Sequence, residues 1–288
     1  MRDLWVSAPM AGKDGEQGVM TVGPTRTDIR SQSLFVRVCG RSVEVLRHEH
    51  GSASDTILLL HEALGSVAYW RDFPEKLALA TGANVLAYSR AGQGNSEGPL
   101  ALRNREFYLR ETQEVIPALL AHFQLDHPVL YGHSEGAGLA MLYAAASQRA
   151  KMLVLESPFV IAQESSRSFI RSLAAGYTGS HLQQRLARYH RNADAVFTSW
   201  VEGIEALSDG ESPFGEAIAR ISCPVLVLQG ANDEYGTTRH LDAIIARLPH
   251  AQHKTFDEAG HLPHRQQTEG VLERVRVFLA YQHDPASV

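Results

Sequence analysis

The sequence predicts an α/β fold: an open, mostly parallel eight-stranded sheet with helices on both faces, interrupted once by an inserted helical cap. Three observations predict it. The short runs ILLL (57–60), PVLYG (128–132), MLVLE (152–156) and PVLVLQG (224–230) lack polar alternation, the mark of strands buried on both faces. Helical patterns separate most of these runs, which is the rhythm of β-α-β units and a parallel sheet. Between about Ser157 and Arg220 the strand-like runs stop, and only helical patterns remain.

In chain order, residues 1–30 mix Gly, Pro, Thr and charges without a period and read as a loose leader. From Leu34 to Arg47, the alternating runs LFVRV and SVEVL flank Cys39-Gly40-Arg41, the pattern of an antiparallel hairpin. After the strand at Ile57–Leu60, Trp70, Phe73, Leu77 and Ala80 recur at helical spacing, and the strand NVLAYS follows. Next come a helix from about Asn104 to Phe123, the strand PVLYG, a small-residue helix from Glu135 to about Ala146, and the strand MLVLE. The segment 157–220 contains SRSFIRSLAAGY, HLQQRLARYH and AVFTSWVEGIEAL, all of helical period. PVLVLQG then resumes the sheet, followed by a helix from about Thr238 to Leu248, a weak strand near His253–Phe256 and a helix from about Gln267 to Tyr281. The domain plan is therefore a leader at 1–30, a core made of 31–156 and 221–288, and a helical cap at 157–220.

Composition narrows the function. The chain has 288 residues, 44% hydrophobic and 20% charged, and a net charge of −5 from 27 basic and 32 acidic residues. The acidic residues are scattered and no basic stripe exists, so no nucleic-acid or anionic-lipid partner is expected, and a small-molecule substrate is. Cys39 and Cys223 are far apart, which is neither a disulfide framework nor a metal spacing, and a cytoplasmic location fits. The N-terminus lacks an apolar signal core and no run is long enough to span a membrane. A monomer or homodimer is expected.

The sharpest motif is Gly132-His133-Ser134-Glu135-Gly136. A G-x-S-x-G match alone is weak, but this one directly follows a buried strand and opens a helix of Gly and Ala. That is the context of a strained turn exposing a nucleophilic serine. Gly138 and Ala140 are expected to let that helix pack closely on the sheet. A serine hydroxyl needs a base, and the base an orienting acid. His261 lies in DEAGHLPH after the last strand, with His264 as its competitor. Asp233 follows PVLVLQG in GANDEYG, beyond the carboxyl end of a strand, where open α/β sheets place their sites. Glu156, at the end of MLVLE, is the alternative acid.

These motifs, together with LLLHEALGS and YSRAGQGNS, resemble the α/β-hydrolase superfamily from about Leu34 to Leu279. The subgroup it looks most like is capped bacterial serine hydrolases with HE-x-LGS in place of the usual His-Gly. The resemblance implies Ser134 as nucleophile, Asp233 as acid and His261 as base, with the backbone N–H groups of Ala63 and Glu135 forming the oxyanion hole. It implies no metal and no cofactor. Glu62 and Glu135 bring two carboxylates to this region. Either both point away, paired or solvated, with Arg90 a partner, or they tune the site against anionic acyl groups. His61 and His133 are expected to support loops by hydrogen bonding. In the cap, Trp200, Tyr189 and His190 are candidates for either internal packing or the wall of the substrate cavity, and Trp200 and Tyr189 are taken as substrate-binding.

The expected function is a serine hydrolase, of esterase or lactonase type, cleaving an ester, thioester or lactone of a small, largely uncharged molecule. The same constellation also supports carbon–carbon bond hydrolysis of ring-cleavage products, or acyl transfer. A reading of another class is a ligand receptor on a hydrolase scaffold; multiple turnovers on aryl esters separate the two.

Overall fold

The computed structural model describes residues 29–208, 214–235 and 238–281. All but the last two residues of the predicted leader, and the last residues of the predicted core, lie outside them. The strands β1 (Ile29–Val38) and β2 (Arg41–His50) form the expected hairpin, with Cys39 and Gly40 both at positive φ in a two-residue turn. Both strands are longer than the alternating runs because their outer ends are polar and half-exposed, which hides them from a hydrophobic pattern.

The remaining strands are β3 (Thr56–Leu60), β4 (Asn84–Tyr88), β5 (Val129–His133), β6 (Met152–Glu156), β7 (Val225–Gly230) and β8 (Gln252–Phe256). Their order is β1-β2-β4-β3-β5-β6-β7-β8; the β1-β2 and β2-β4 pairs are antiparallel and all later pairs parallel. The chain steps from β3 to β4 on one side and to β5 on the other, so the carboxyl ends of β3 and β5 flank a crevice where the strand order reverses.

Alternate residues of the central strands face opposite helical layers. Ile57, Leu59, Val129, Tyr131, Val154 and Leu228 pack with α1 (Phe73–Thr81) and α11 (Thr268–Tyr281). Leu58, Leu60, Leu130, Leu155 and Val227 pack on the other face. There they meet α3 (Ile116–His122), α4 (Glu135–Ser147) and α9 (Thr238–Ile245). The helix expected over 104–123 is α2 (Arg105–Arg110), a π turn (Glu111–Val115) and α3 in succession. The Tyr88 hydroxyl donates to Glu111, buried in that turn. The C-terminal helix expected over 267–281 is preceded by one further turn, α10 (Pro263–Gln266).

Between β6 and β7 lie α5 (Glu164–Ala175), α6 (His181–Leu186), α7 (Ala193–Glu205) and α8 (Gly215–Ile218). Ile170, Tyr177, Leu186, Val196, Phe197 and Trp200 make a separate apolar cluster, joined from the core only by Ala63 and Leu64 among its fully buried residues. α8 behaves differently. Phe214, Ala217 and Ile218 belong to the core cluster, and a Cβ on Gly138 would come within 2.5 Å of the Phe214 ring. The sheet-facing role expected of Gly138 is therefore a helix-facing one, and Phe214, Ala217 and Ile218, which the sequence reading assigns to the cap, pack with the core cluster. Phe214, Ala217, Ile218 and Ile221 recur at helical spacing, but a helical period does not say which layer the helix packs against. Among the described residues, no helix is long and apolar enough to cross a membrane.

Candidate active site

Ser134 sits between β5 and α4 at φ 54°, ψ −114°. A left-handed backbone on a non-glycine residue is strained and persists only where its surroundings impose it. Here the surroundings are crowded. A Cβ on Gly132 would lie 2.3 Å from the Gly136 carbonyl oxygen, and one on Gly136 would lie 2.0 Å from that of Leu60. Both glycines are required because strand, turn and helix pack backbone to backbone. The Ser134 N–H donates to the Glu156 carbonyl at 2.9 Å, which anchors the turn to β6.

β7 and β8 are parallel neighbours, so the loops following them emerge side by side. They bring Asp233 and His261 together: the His261 Nδ1–H donates to both carboxylate oxygens of Asp233, at 2.9 Å each. Asp233 also accepts from Gln229 Nε2 and from the Tyr235 N–H, both at 2.9 Å. Burial works against its charge, but the His261 charge and these donors prevail and lower its pKa. Burial likewise disfavours an imidazolium at His261, yet the Asp233 charge and hydrogen bond, aided by Glu62 and Glu234, raise its pKa. The neutral imidazole is the form that accepts a proton. Turnover is therefore expected to rise with pH along a limb lying above the ordinary histidine range. Asp233→Asn should move that limb to lower pH in a kcat/KM profile; an unmoved limb would detach it from His261.

Glu156 does not compete for His261. Its carboxylate is fully buried and holds His264 instead, Nδ1 to oxygen at 2.9 Å. His133 lies beneath the histidine loop, its Nε2–H donating to the His261 carbonyl at 2.8 Å. Burial takes its pKa down to about 3, so it stays neutral.

The loop after β3 lies beside the turn at Ser134, because Leu60 pairs with Gly132. The Glu62 carbonyl accepts from Arg90 Nη2 and from His61 Nδ1, both at 2.7 Å. A trans peptide directs its N–H opposite to its C=O, so the Ala63 N–H is turned away from Arg90, and Ala63 lines the cavity. His61 Nε2 accepts from the Arg90 N–H, which requires a neutral ring, and burial followed by the Arg90 charge holds its pKa well down. The Glu135 N–H belongs to the first turn of α4, where no intrahelical acceptor exists.

The two carboxylates have different fates. That of Glu135 pairs with Arg90 at 2.9 Å and Arg103 at 3.0 Å. The Glu62 carboxylate pairs with no cation among the described residues: Arg90 reaches its carbonyl, while its side chain bonds Tyr69 and its charge acts on Tyr235 and His261.

Ser134 and His261 open onto a cavity of about 150 Å³. Tyr69, Tyr235, Leu262 and Phe159 line it from the core side, and Ile170, Leu186 and Trp200 from the insertion. Trp200 is thus both at the wall and in the insertion's apolar cluster. Tyr189 is not at the wall: it stands behind Tyr69, ring centroids 5.2 Å apart, so its contact with the cavity is indirect. His190 is a strut, accepting from the Gly94 N–H at 3.0 Å and donating to the Leu64 carbonyl at 2.9 Å.

Sequence reasoning missed Arg103. It donates to the Ala63 carbonyl, to Glu135 and to Ser199 of α7, linking the β3 loop, the helix after Ser134 and the insertion. It stands in a loop without a motif, and only the fold shows its three partners. Gln93, which donates to the Ala63 and Gly65 carbonyls, is similar, although it lies inside the quoted YSRAGQGNS. Among the described residues, no cluster of three or more His, Cys, Asp or Glu is arranged to hold a metal ion.

Comparison with known proteins agrees with this fold. A model of the alpha/beta hydrolase family matches residues 57–274. The 2-hydroxy-6-oxononadienedioate/2-hydroxy-6-oxononatrienedioate hydrolase of Cupriavidus pinatubonensis is 23% identical over 260 residues, covering 80% of this chain and 89% of that one. Esterase YbfF of Escherichia coli is 26% identical over 193 residues, covering 60% and 74%. Among solved structures, the enol-lactonase of Burkholderia xenovorans superposes with a TM-score of 0.67 at 18% identity, covering 85% and 99%. With the family model spanning most of the chain and the sheet built as that fold requires, the chain belongs to the alpha/beta hydrolase family.

Proposed function

We propose that the chain is a cofactor-free serine hydrolase that cleaves an ester, thioester or lactone of a small, largely uncharged molecule. The observation that carries this reading is the strained Ser134 opening onto the same cavity as a His261 whose Nδ1 is held by Asp233. In the proposed mechanism Ser134 Oγ attacks the carbonyl carbon while His261 Nε2 takes the hydroxyl proton. Asp233 holds the imidazole tautomer and stabilises the imidazolium. The N–H groups of Ala63 and Glu135 stabilise the oxyanion. His261 returns the proton to the leaving oxygen or sulfur, and water, activated by the same imidazole, releases the acid and frees Ser134.

The charged residues that line the cavity are three carboxylates, Glu62, Glu135 and Glu234, and one cation, Arg185, which supports a substrate without negative charge, since both buried guanidinium groups near the site are already occupied by Glu135. The esterase and the enol-lactonase among the similar proteins support the bond type. The Cupriavidus relative favours a second reading, hydrolysis of a carbon–carbon bond in a ring-cleavage product by the same residues. A screen of small aryl esters, lactones and ring-cleavage products, with the Ser134→Ala protein as control, decides between them. Absence of Ser134-dependent turnover on all three would overturn both.

The insertion is proposed to act as a cap that shapes the pocket. Trp200→Ala is then expected to change the rate ratio between short and long acyl esters by about tenfold, with a smaller effect on labelling of Ser134 by a phosphonate. Equal losses in both would make Trp200 a packing residue.

A further inference from the structure

The fully buried Glu156 and its partner His264 take no part in the mechanism above, yet they touch both halves of the site. The Glu156 carbonyl accepts the Ser134 N–H at 2.9 Å. Its carboxylate accepts from the His264 N–H at 2.6 Å and from the His264 Nδ1–H at 2.9 Å, and from the Tyr131 hydroxyl at 2.8 Å. His264 lies three residues beyond His261, at the start of α10. One residue therefore holds the backbone of the nucleophile with its main chain and the far end of the histidine loop with its side chain. In the β5-β6 register, Glu156 is the partner of His133, which bonds the His261 carbonyl.

We infer that Glu156 is a positioning residue: through His264 its carboxylate sets the distance between the His261 loop and Ser134. The inference rests on the triad reading of Ser134 and His261. Its physical basis is rigidity. The residues from 257 to 262 form no regular element, so the imidazole's position depends on discrete anchors. Asp233 fixes the ring's orientation, and His133 and Glu156 fix the backbone that carries it. His264 cannot drift sideways, since Trp70, Phe73 and His133 surround its ring at centroid distances of 5.0, 5.1 and 5.2 Å. Its Nε2 has no hydrogen-bond partner among the described residues, so Glu156 is its polar anchor. The two His264 donors converging on one buried carboxylate make the geometry directional, and its pKa of about 2 keeps it an acceptor for both.

The test compares Glu156→Gln, His264→Ala, their combination and Tyr131→Phe on one activated aryl ester, with active sites counted by phosphonate titration. A misplacement near 1 Å costs on the order of 10²-fold, so Glu156→Gln and His264→Ala should each lower kcat by about 10- to 100-fold at nearly unchanged KM. The double variant should lose little more than the worse single one, because both break the same strut. Tyr131→Phe removes a donor from the same carboxylate without touching the histidine loop, and its kcat per active site should stay close to wild type. A Glu156→Gln protein with wild-type kcat per titrated site would overturn the inference. So would one that loses more than Asp233→Asn, since Glu156 would then be the acid itself. If Glu156→Gln does not fold, His264→Ala carries the same comparison. Should the chain hydrolyse no ester, the phosphonate labelling rate of Ser134 still reads the strut, which separates its failure from that of the proposed function.

Discussion

Ser134→Ala is expected to fold like the wild type and to lose turnover by a factor on the order of 10⁶. The size follows from what remains. Without the hydroxyl, His261 has no bound nucleophile to deprotonate, and the oxyanion donors can only polarise a carbonyl awaiting water. The fold should survive because, among the described residues, no hydrogen bond of the Ser134 side chain caps the helix that follows it. The turn is held by the Ser134 N–H on Glu156 and by the close packing at Gly132 and Gly136. Alanine keeps the Cβ that already tolerates φ 54°. Steady-state turnover and thermal unfolding, measured side by side, check both halves. A loss below about tenfold would remove Ser134 from the mechanism, because no triad serine is that dispensable.

Asp233→Asn is expected to lower kcat by about 10⁴ with the fold intact. The carboxylate accepts from His261 Nδ1, Gln229 Nε2 and the Tyr235 N–H, and an amide can satisfy only part of that set. The amide's own NH₂ group, facing Nδ1, favours the tautomer that carries its proton on Nε2. That nitrogen then cannot take the serine proton. The asparagine also lacks the charge that raises the His261 pKa, so the rising limb of the residual activity should lie at lower pH than in the wild type. Measurement of kcat for Asp233→Asn and Glu156→Gln on one ester ranks the two carboxylates, and the reverse order would move the acid to β6.

Much of the site was legible in sequence because each part obeys a local rule. The serine turn needs glycines two residues before and after, and both are present. Asp233 and His261 each follow a strand, and strands buried on both faces are recognisable as unbroken apolar runs. What local rules do not reach is partner choice among side chains brought from distant loops. Both Glu135 and Glu62 were candidates for pairing with Arg90. Only the fold shows Arg90 spending its Nη2 on the Glu135 carboxylate and the Glu62 carbonyl, which leaves the Glu62 side chain at the cavity beside Tyr69. Tyr189 and Trp200 looked alike in a helical insertion, but α7 presents Trp200 to the cavity while Tyr189 lies behind Tyr69.

The sequence by itself determined the alternation of buried strands and helices, the hairpin, the helical insertion, and the order serine, acid, histidine. Those follow from periodicity and from backbone conformations that few residue types tolerate. Only the tertiary structure decided that Glu156 serves His264 rather than His261, that Arg103 joins the β3 loop to the insertion, and that Phe214 and α8 belong to the core. These outcomes depend on which side chains meet after the sheet has ordered its strands. Burial then forces each charge to the nearest complementary group, whatever its distance along the chain.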